Sequence, residues 1–278
     1  MTSGVVETVV VRSADGTTIA CEVSGRGPAL VIVHGSLRAA HHYRALARAL
    51  ADDFTVYVMD RRGRGGSGPQ GAAYGIDSEC DDLVAVLAHG NAHLVFGHSY
   101  GGVVALETML RRPDTPVTRL AVYEPAVSLG GAISNKWLPE LQLAVAEGRT
   151  ADGLISIVSG LELAGRLKDL PVRLRRAMVK VVMRGTLMSD MDALLPTVHA
   201  EVATATGLDS DGTKFAGIAT DTLLMAGERG PEYLRDVVAT LADVMPNARP
   251  TILPKLTHNA PDLDAPAAVA AELRRYFG

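Results

Sequence analysis

Two short runs rich in β-branched residues, 5–12 and 17–23, open the chain, separated by Ser13-Ala14-Asp15-Gly16. A turn signal between such runs predicts a hairpin. The next apolar run, Ala29-Leu30-Val31-Ile32-Val33, is continuous rather than alternating, as in a strand covered on both faces. Leu46, Ala49 and Leu50 then repeat at helical spacing within 43–50, and 54–59 returns to a strand pattern. This strand–helix–strand rhythm predicts a parallel sheet. It continues with a helix at 78–87, whose Leu83, Val86 and Leu87 face inward, a strand at 93–96, a helix at 103–110 and a strand at 117–123 ending at Glu124-Pro125.

The strand pattern then stops. Segments near 136–146, 154–164, 172–183 and 191–205 carry helical spacing, and no strand follows any of them. Residues 126–215 are therefore expected to be a helical insertion in a core made of 1–125 and 216–278. Thr222-Leu223-Leu224-Met225-Ala226 resumes the sheet, 231–245 is a helix, 251–253 the last strand and 265–277 a closing helix. The expected fold class is α/β, a mostly parallel central sheet flanked by helices.

Composition narrows the function classes. The chain has 278 residues, 47% hydrophobic and 21% charged, which suits a globular core rather than long disorder. A formal net charge of -4 without a long basic run gives no footprint for nucleic acid. No apolar run reaches membrane-spanning length, and Met1 to Glu7 lacks a basic segment followed by an apolar one, so a soluble cytoplasmic protein is expected. Cys21 and Cys80 match no metal or redox spacing and read as buried thiols.

The chemistry concentrates at Gly97-His98-Ser99-Tyr100-Gly101-Gly102, between a predicted strand and a predicted helix. Gly-x-Ser-x-Gly in that context makes a nucleophile elbow, where a serine hydroxyl is held exposed for a base to reach. Gly63-x-Gly65-x-x-Gly68 is formally a dinucleotide fingerprint, but Pro69-Gln70-Gly71 continues the loop where the fingerprint requires a helix. Arg61, Arg62 and Arg64 are thus expected on a solvated loop, with contact to an anionic substrate as the alternative. His34, His41, His42, His89, His93, His98 and His199 read as structural or solvated, and no metal or cofactor is expected.

With these motifs in order, the chain resembles the α/β-hydrolase family. His34-Gly35-Ser36 is similar to that family's loop after the third strand, Asp60-Arg61-Arg62-Gly63 to its loop after the fourth, and Pro254-Lys255-Leu256-Thr257-His258 to its final histidine loop. The insertion lies where the family places its cap. The resemblance implies Ser99 as nucleophile, His258 as general base and then acid, and an oxyanion hole from the backbone N–H groups of Tyr100 and Ser36, with Leu37 as the other choice for the second donor. An aspartate nucleophile, as in dehalogenases or epoxide hydrolases, is disfavoured because the elbow holds Ser99.

The acid departs from the common pattern. Many relatives carry an aspartate three positions after the glycine that ends the seventh strand, where this chain has Gly230. Glu124, at the tip of the sixth strand, is the expected substitute, as in the similar macrolactone-cleaving lactonases. Glu228 is the alternative, and absence of any acid a third. Caps roof the site in this family, so Leu37 and Trp137 are candidate substrate contacts, along with other apolar residues and methionines of the insertion. Packing of the insertion's own helices is the competing role for each. The resemblance implies a cofactor-independent serine hydrolase acting on an ester, lactone or thioester of a hydrophobic small molecule. A lyase, perhydrolase or cyclase using the same pocket, or a binding protein without turnover, stays open, as does oligomeric state.

Overall fold

Eight strands form one sheet in the order β1-β2-β4-β3-β5-β6-β7-β8. The computed structural model describes residues 6–161, 170–171, 173–175, 177, 179 and 186–278, without the side chains of 186–189. β1 (Glu7–Arg12) and β2 (Thr18–Gly25) are the expected hairpin, and β2 also runs antiparallel to β4 (Thr55–Met59). The other pairings, among β3 (Ala29–Val33), β4, β5 (Leu94–His98), β6 (Arg119–Tyr123), β7 (Asp221–Gly227) and β8 (Ala248–Leu253), are all parallel.

Continuous apolar runs are what these inner strands need, because successive side chains enter opposite layers. Val31, Val33, Val95, Leu120, Val122 and Leu224 pack on one face with α2 (Ile76–Gly90), α3 (Tyr100–Arg111) and α7 (Glu232–Val244). Leu30, Ile32, Phe96, Ala121, Leu223 and Met225 pack on the other with α1 (Arg44–Leu50) and α8 (Pro266–Phe277). Parallel strands with helices on both faces place all their C-terminal ends on one edge, where the connecting loops gather.

Between β6 and β7 the described elements are helical: α4 (Leu138–Ala146), α5 (Thr150–Gly160) and α6 (Thr186–Gly207), then a short 3-10 turn at Thr213–Gly217. The expected segment at 172–183, including Met178 and Met183, lies largely outside the described residues. Leu138, Leu141, Leu154, Ile157, Met191, Leu194, Leu195 and Val198 form a separate apolar cluster with Ala39 from the core. These side chains therefore pack the insertion's helices together.

Asp60 orders the glycine-rich loop after β4. Its buried carboxylate accepts the Ala40 N–H at 2.7 Å and the Gly66 N–H at 3.1 Å, and a Cβ on Gly65 would occupy the carboxylate's place. No helix opens at Gly68, so the dinucleotide pattern is accidental. Asp60→Ala leaves two backbone donors without their acceptor and should lower unfolding stability by about 2–4 kcal/mol in urea melts. A loss within error of zero would show that water replaces the carboxylate without cost.

Candidate active site

Backbone strain marks one edge of the sheet. Among the described residues, five that are not glycine have positive φ: Leu37, Asn91, Ser99, Glu124 and Lys255. Asn91 caps the C-terminus of α2, where a left-handed residue is ordinary. The other four follow the C-terminal ends of β3, β5, β6 and β8, and such conformations persist only where the surroundings enforce them.

Ser99 has φ 54° and ψ -122° at the junction of β5 and α3. Its N–H donates to the Tyr123 carbonyl at 3.0 Å, and its own carbonyl accepts the N–H groups of Gly102 and Ala126. The turn is thus held from β6 as well as from its own helix. A Cβ on Gly101 would meet the Val33 carbonyl, so the elbow can lie against β3 only with glycine there. The Ser99 side chain remains partly exposed. The N–H groups of Ser36 and Tyr100 have no hydrogen-bond partner among the described residues. For Tyr100 the reason is its place at the first position of α3, where no intrahelical acceptor exists.

His258, on the loop after β8, meets Glu124 at the tip of β6. Nδ1 lies 2.6 Å from Glu124 Oε2, and Glu124 Oε1 accepts the Gly227 N–H at 2.8 Å. Glu124 is fully buried. A carboxylate in that position takes its proton-bearing partner from Nδ1, leaving the Nε2 lone pair of His258 as the basic one. Gly230 explains the missing aspartate, because a Cβ at that position would coincide with the Glu124 carboxylate. Glu228 is exposed and its Oε2 accepts the Lys255 N–H at 2.7 Å, so it is engaged with the loop backbone and not with the imidazole.

The arginines overturn the expectation of a solvated or anion-binding loop. Arg61, Arg62 and Arg64 are all buried. Arg61 donates to Glu79 at 3.0 Å and 2.5 Å and to Glu201 at 2.5 Å, and its guanidinium stacks 4.5 Å from the Tyr100 ring centre. Arg64 pairs with Glu201 and donates to Thr197 at 2.8 Å, and Arg62 grips Asp82 with two bonds of 2.7 Å. Burial opposes ionisation of Glu201, but the charges of Arg61 and Arg64 and the Ser36 hydroxyl outweigh it and hold its pKa down. Burying guanidinium groups is tolerable only with such neutralisation. Glu201 and Thr197 belong to α6, so the cluster ties the insertion to the core beside Ser36 and Tyr100. Partners 140 residues apart gave the sequence no local signal.

Trp137 takes the packing role. Its ring fills the space over Gly160 of α5 and its indole N–H donates to the Ser134 carbonyl at 2.6 Å, a place between the insertion's own elements. Leu37 likewise packs against the insertion's apolar cluster. His41, His42 and Asp190 bring three potential ligand atoms within 4.8 Å of one another, a grouping the sequence did not suggest. The Ala39 N–H donates to His42 Nδ1 at 3.0 Å, so the proton of that neutral ring sits on Nε2 and its lone pair is not offered to a metal. Burial and the charges of His41 and Arg38 push His42 down to about 4, which keeps it neutral. Among the described cavities the largest, about 740 Å³, is lined by Ala29, Thr55, Leu94, Arg119 and Asp221. These residues start their strands, so volume alone points to the edge of the sheet opposite Ser99.

The eight-stranded, mostly parallel sheet agrees with the sequence comparison. Residues 30–272 match the model of the alpha/beta hydrolase family, and the chain belongs to that family. It is a hydrolase. An alpha/beta hydrolase from Sphaerobacter thermophilus superposes with a TM-score of 0.81 at 32% identity, covering 97% of this chain and 100% of that one. A 2-(acetamidomethylene)succinate hydrolase from Mesorhizobium japonicum is 27% identical over 87% of this chain and 85% of its own length. A fluoroacetate dehalogenase from Burkholderia sp. is 37% identical, but the match spans only 38% of this chain and 37% of the dehalogenase. No described helix is long and apolar enough to cross a membrane.

Gly230→Ala should displace the Glu124 carboxylate and lower turnover by about 10²-fold or more, whereas pairing Glu124→Ala with Gly230→Asp should recover part of the loss, since Gly230 does not occupy a positive-φ conformation. Full activity in the single Gly230→Ala variant would show that the carboxylate has room to move. Burial also holds the pKa of His34 and His98 well below the ordinary 6.5. Both rings take up protons on unfolding, so the stability they contribute is present above about pH 6.5 and is lost as pH falls. Each steepens that loss by about 1.4 kcal/mol per pH unit. Urea midpoints should therefore drop between pH 7 and 5, and a flat profile would contradict neutral burial of both rings.

Proposed function

We propose that the protein is a cofactor-independent serine hydrolase that cleaves a carboxylic ester, lactone or thioester of a hydrophobic small molecule through an acyl-enzyme. The observation that carries this reading is the buried Glu124 carboxylate on His258 Nδ1, beside an elbow that presents Ser99. In the acylation step His258 Nε2 takes the Ser99 proton as Oγ bonds to the substrate carbonyl carbon. Glu124 stabilises the imidazolium that forms and fixes its tautomer. The N–H groups of Ser36 and Tyr100 receive the oxyanion, which collapses as the leaving group departs with the proton from Nε2. Water then repeats the sequence on the acyl-enzyme and releases the acid.

The substrate class rests on charge. Arg61, Arg62 and Arg64 each face a carboxylate, so this loop offers no unneutralised cation to an anionic substrate. That supports an uncharged acyl group over a dicarboxylate of the kind named for the Mesorhizobium relative. The glutamate after strand six aligns the layout with the macrolactone-cleaving lactonases, and residues 126–215 act as the cap over the pocket. The dehalogenase activity of the Burkholderia protein is not carried over, because Ser99 occupies the nucleophile position.

A fluorophosphonate probe should label the native protein and fail on Ser99→Ala, and product acid formed in heavy-oxygen water should contain one solvent oxygen. Absence of solvent oxygen in a genuine product would assign a lyase or cyclase reaction instead. Glu124→Gln should lower kcat by about 10²–10⁴-fold while Glu228→Gln leaves it within about threefold. The opposite ranking would move the acid to Glu228. Activity should also survive chelators, and its loss would introduce a metal into the mechanism.

A further inference from the structure

His98, the residue before the nucleophile, lies on the buried side of the elbow between two segments of the site. Its Nε2 is 2.9 Å from the carbonyl oxygen of His258, and its Nδ1 is 2.5 Å from the Tyr43 hydroxyl. A carbonyl only accepts, so Nε2 carries the proton. Nδ1 is then bare and must accept the Tyr43 O–H. The Tyr43 oxygen in turn accepts the Gly35 N–H at 3.3 Å. One directed chain thus runs from the amide beside Ser36, through Tyr43 and His98, to the backbone of His258. His98 and Tyr43 are both buried.

The loop that receives this bond needs it. It follows β8, an edge strand, and contains Lys255 at φ 62°. Tyr123 donates its hydroxyl to the Thr257 carbonyl at 2.8 Å, so two successive carbonyls, Thr257 and His258, are held from the sheet by aromatic side chains. The rings of His98 and His258 lie 4.9 Å apart, in contact but not as an acid–base pair, because both His98 nitrogens are committed. Burial, together with the neighbouring His258 and Arg38, keeps His98 neutral, which the donor-and-acceptor arrangement requires.

We propose that His98 is a positioning residue which, with Tyr43, fixes the His258 imidazole relative to the Gly35–Ser36 loop, so that the base and the oxyanion donors keep one geometry around Ser99. This rests on the serine-hydrolase reading above. Misplacing a reacting group by about 1 Å costs on the order of 10²-fold in rate.

The test separates kcat from KM on an ester substrate for His98→Leu, His98→Gln and Tyr43→Phe, with urea midpoints and fluorophosphonate labelling rates on the same preparations. His98→Leu should lower kcat and the labelling rate by about 10²-fold with KM changed by less than about threefold. His98→Gln, whose amide can still donate toward the His258 carbonyl, should recover about tenfold of that loss, and Tyr43→Phe should cost about tenfold. If His98→Leu does not fold, the Tyr43→Phe and His98→Gln ranking decides alone. Native kcat in a folded His98→Leu or Tyr43→Phe protein, or a loss confined to KM, would overturn the positioning role. Failure of the wild-type protein to label would instead overturn the serine-hydrolase reading beneath it.

Discussion

The arrangement depends on one buried hydrogen bond, between Glu124 Oε2 and His258 Nδ1 at 2.6 Å. A carboxylate with no solvent access is costly unless its oxygens are occupied, and here the imidazole and the Gly227 amide occupy one each. Several otherwise unrelated features follow from that requirement. Glu124 takes a positive φ after β6 to aim its side chain across the sheet edge, and Gly230 gives up a side chain to make room for it. The loop after β8 is held to the sheet by hydrogen bonds from Tyr123 and His98 to the carbonyls of Thr257 and His258.

A second, larger charge cluster governs how the helical insertion meets this site. Arg61, Arg64, Glu79 and Glu201 sum to neutrality in a region fully sealed from solvent. Buried ion pairs contribute little net stability against apolar replacements, but breaking one leaves an uncompensated charge. Their effect is therefore to specify one seating of α6, with Glu201 beside Ser36 and Arg61 stacked on Tyr100. The two backbone amides left without a hydrogen-bond partner among the described residues belong to those same two residues, so the seating of the insertion and the backbone around Ser99 share their supports.

The strands were legible because parallel strands covered on both faces must be apolar throughout, and Val31, Ile32, Val95, Phe96 and Leu224 are all buried, divided between the two layers. Ser99 and His258 could be singled out from the sequence because the residues around each follow a locally ordered motif. The choice of Glu124 rests on the missing aspartate at Gly230, on its place at the tip of strand six and on the resemblance to lactonases, and its contact with His258 and the steric reason for Gly230 are visible only in three dimensions. The arginines were misjudged because charge on a glycine-rich loop reads as solvated until its partners are known, and Glu201 lies on a helix far along the chain. The grouping of His41 and His42 with Asp190 escaped notice for the same reason. Helix ends also shifted, with α5 beginning at Thr150 and α6 at Thr186, since apolar spacing locates a buried face better than it locates the first turn.

The most direct measurement of the central claim is the proton spectrum of His258. A proton shared between Nδ1 and a buried carboxylate resonates far downfield and exchanges slowly with water. The structure requires such a signal in the resting protein, its disappearance in Glu124→Gln and its persistence in Glu228→Gln. A downfield signal unaffected by Glu124→Gln, or removed by Glu228→Gln, would contradict the assignment on which the site is built.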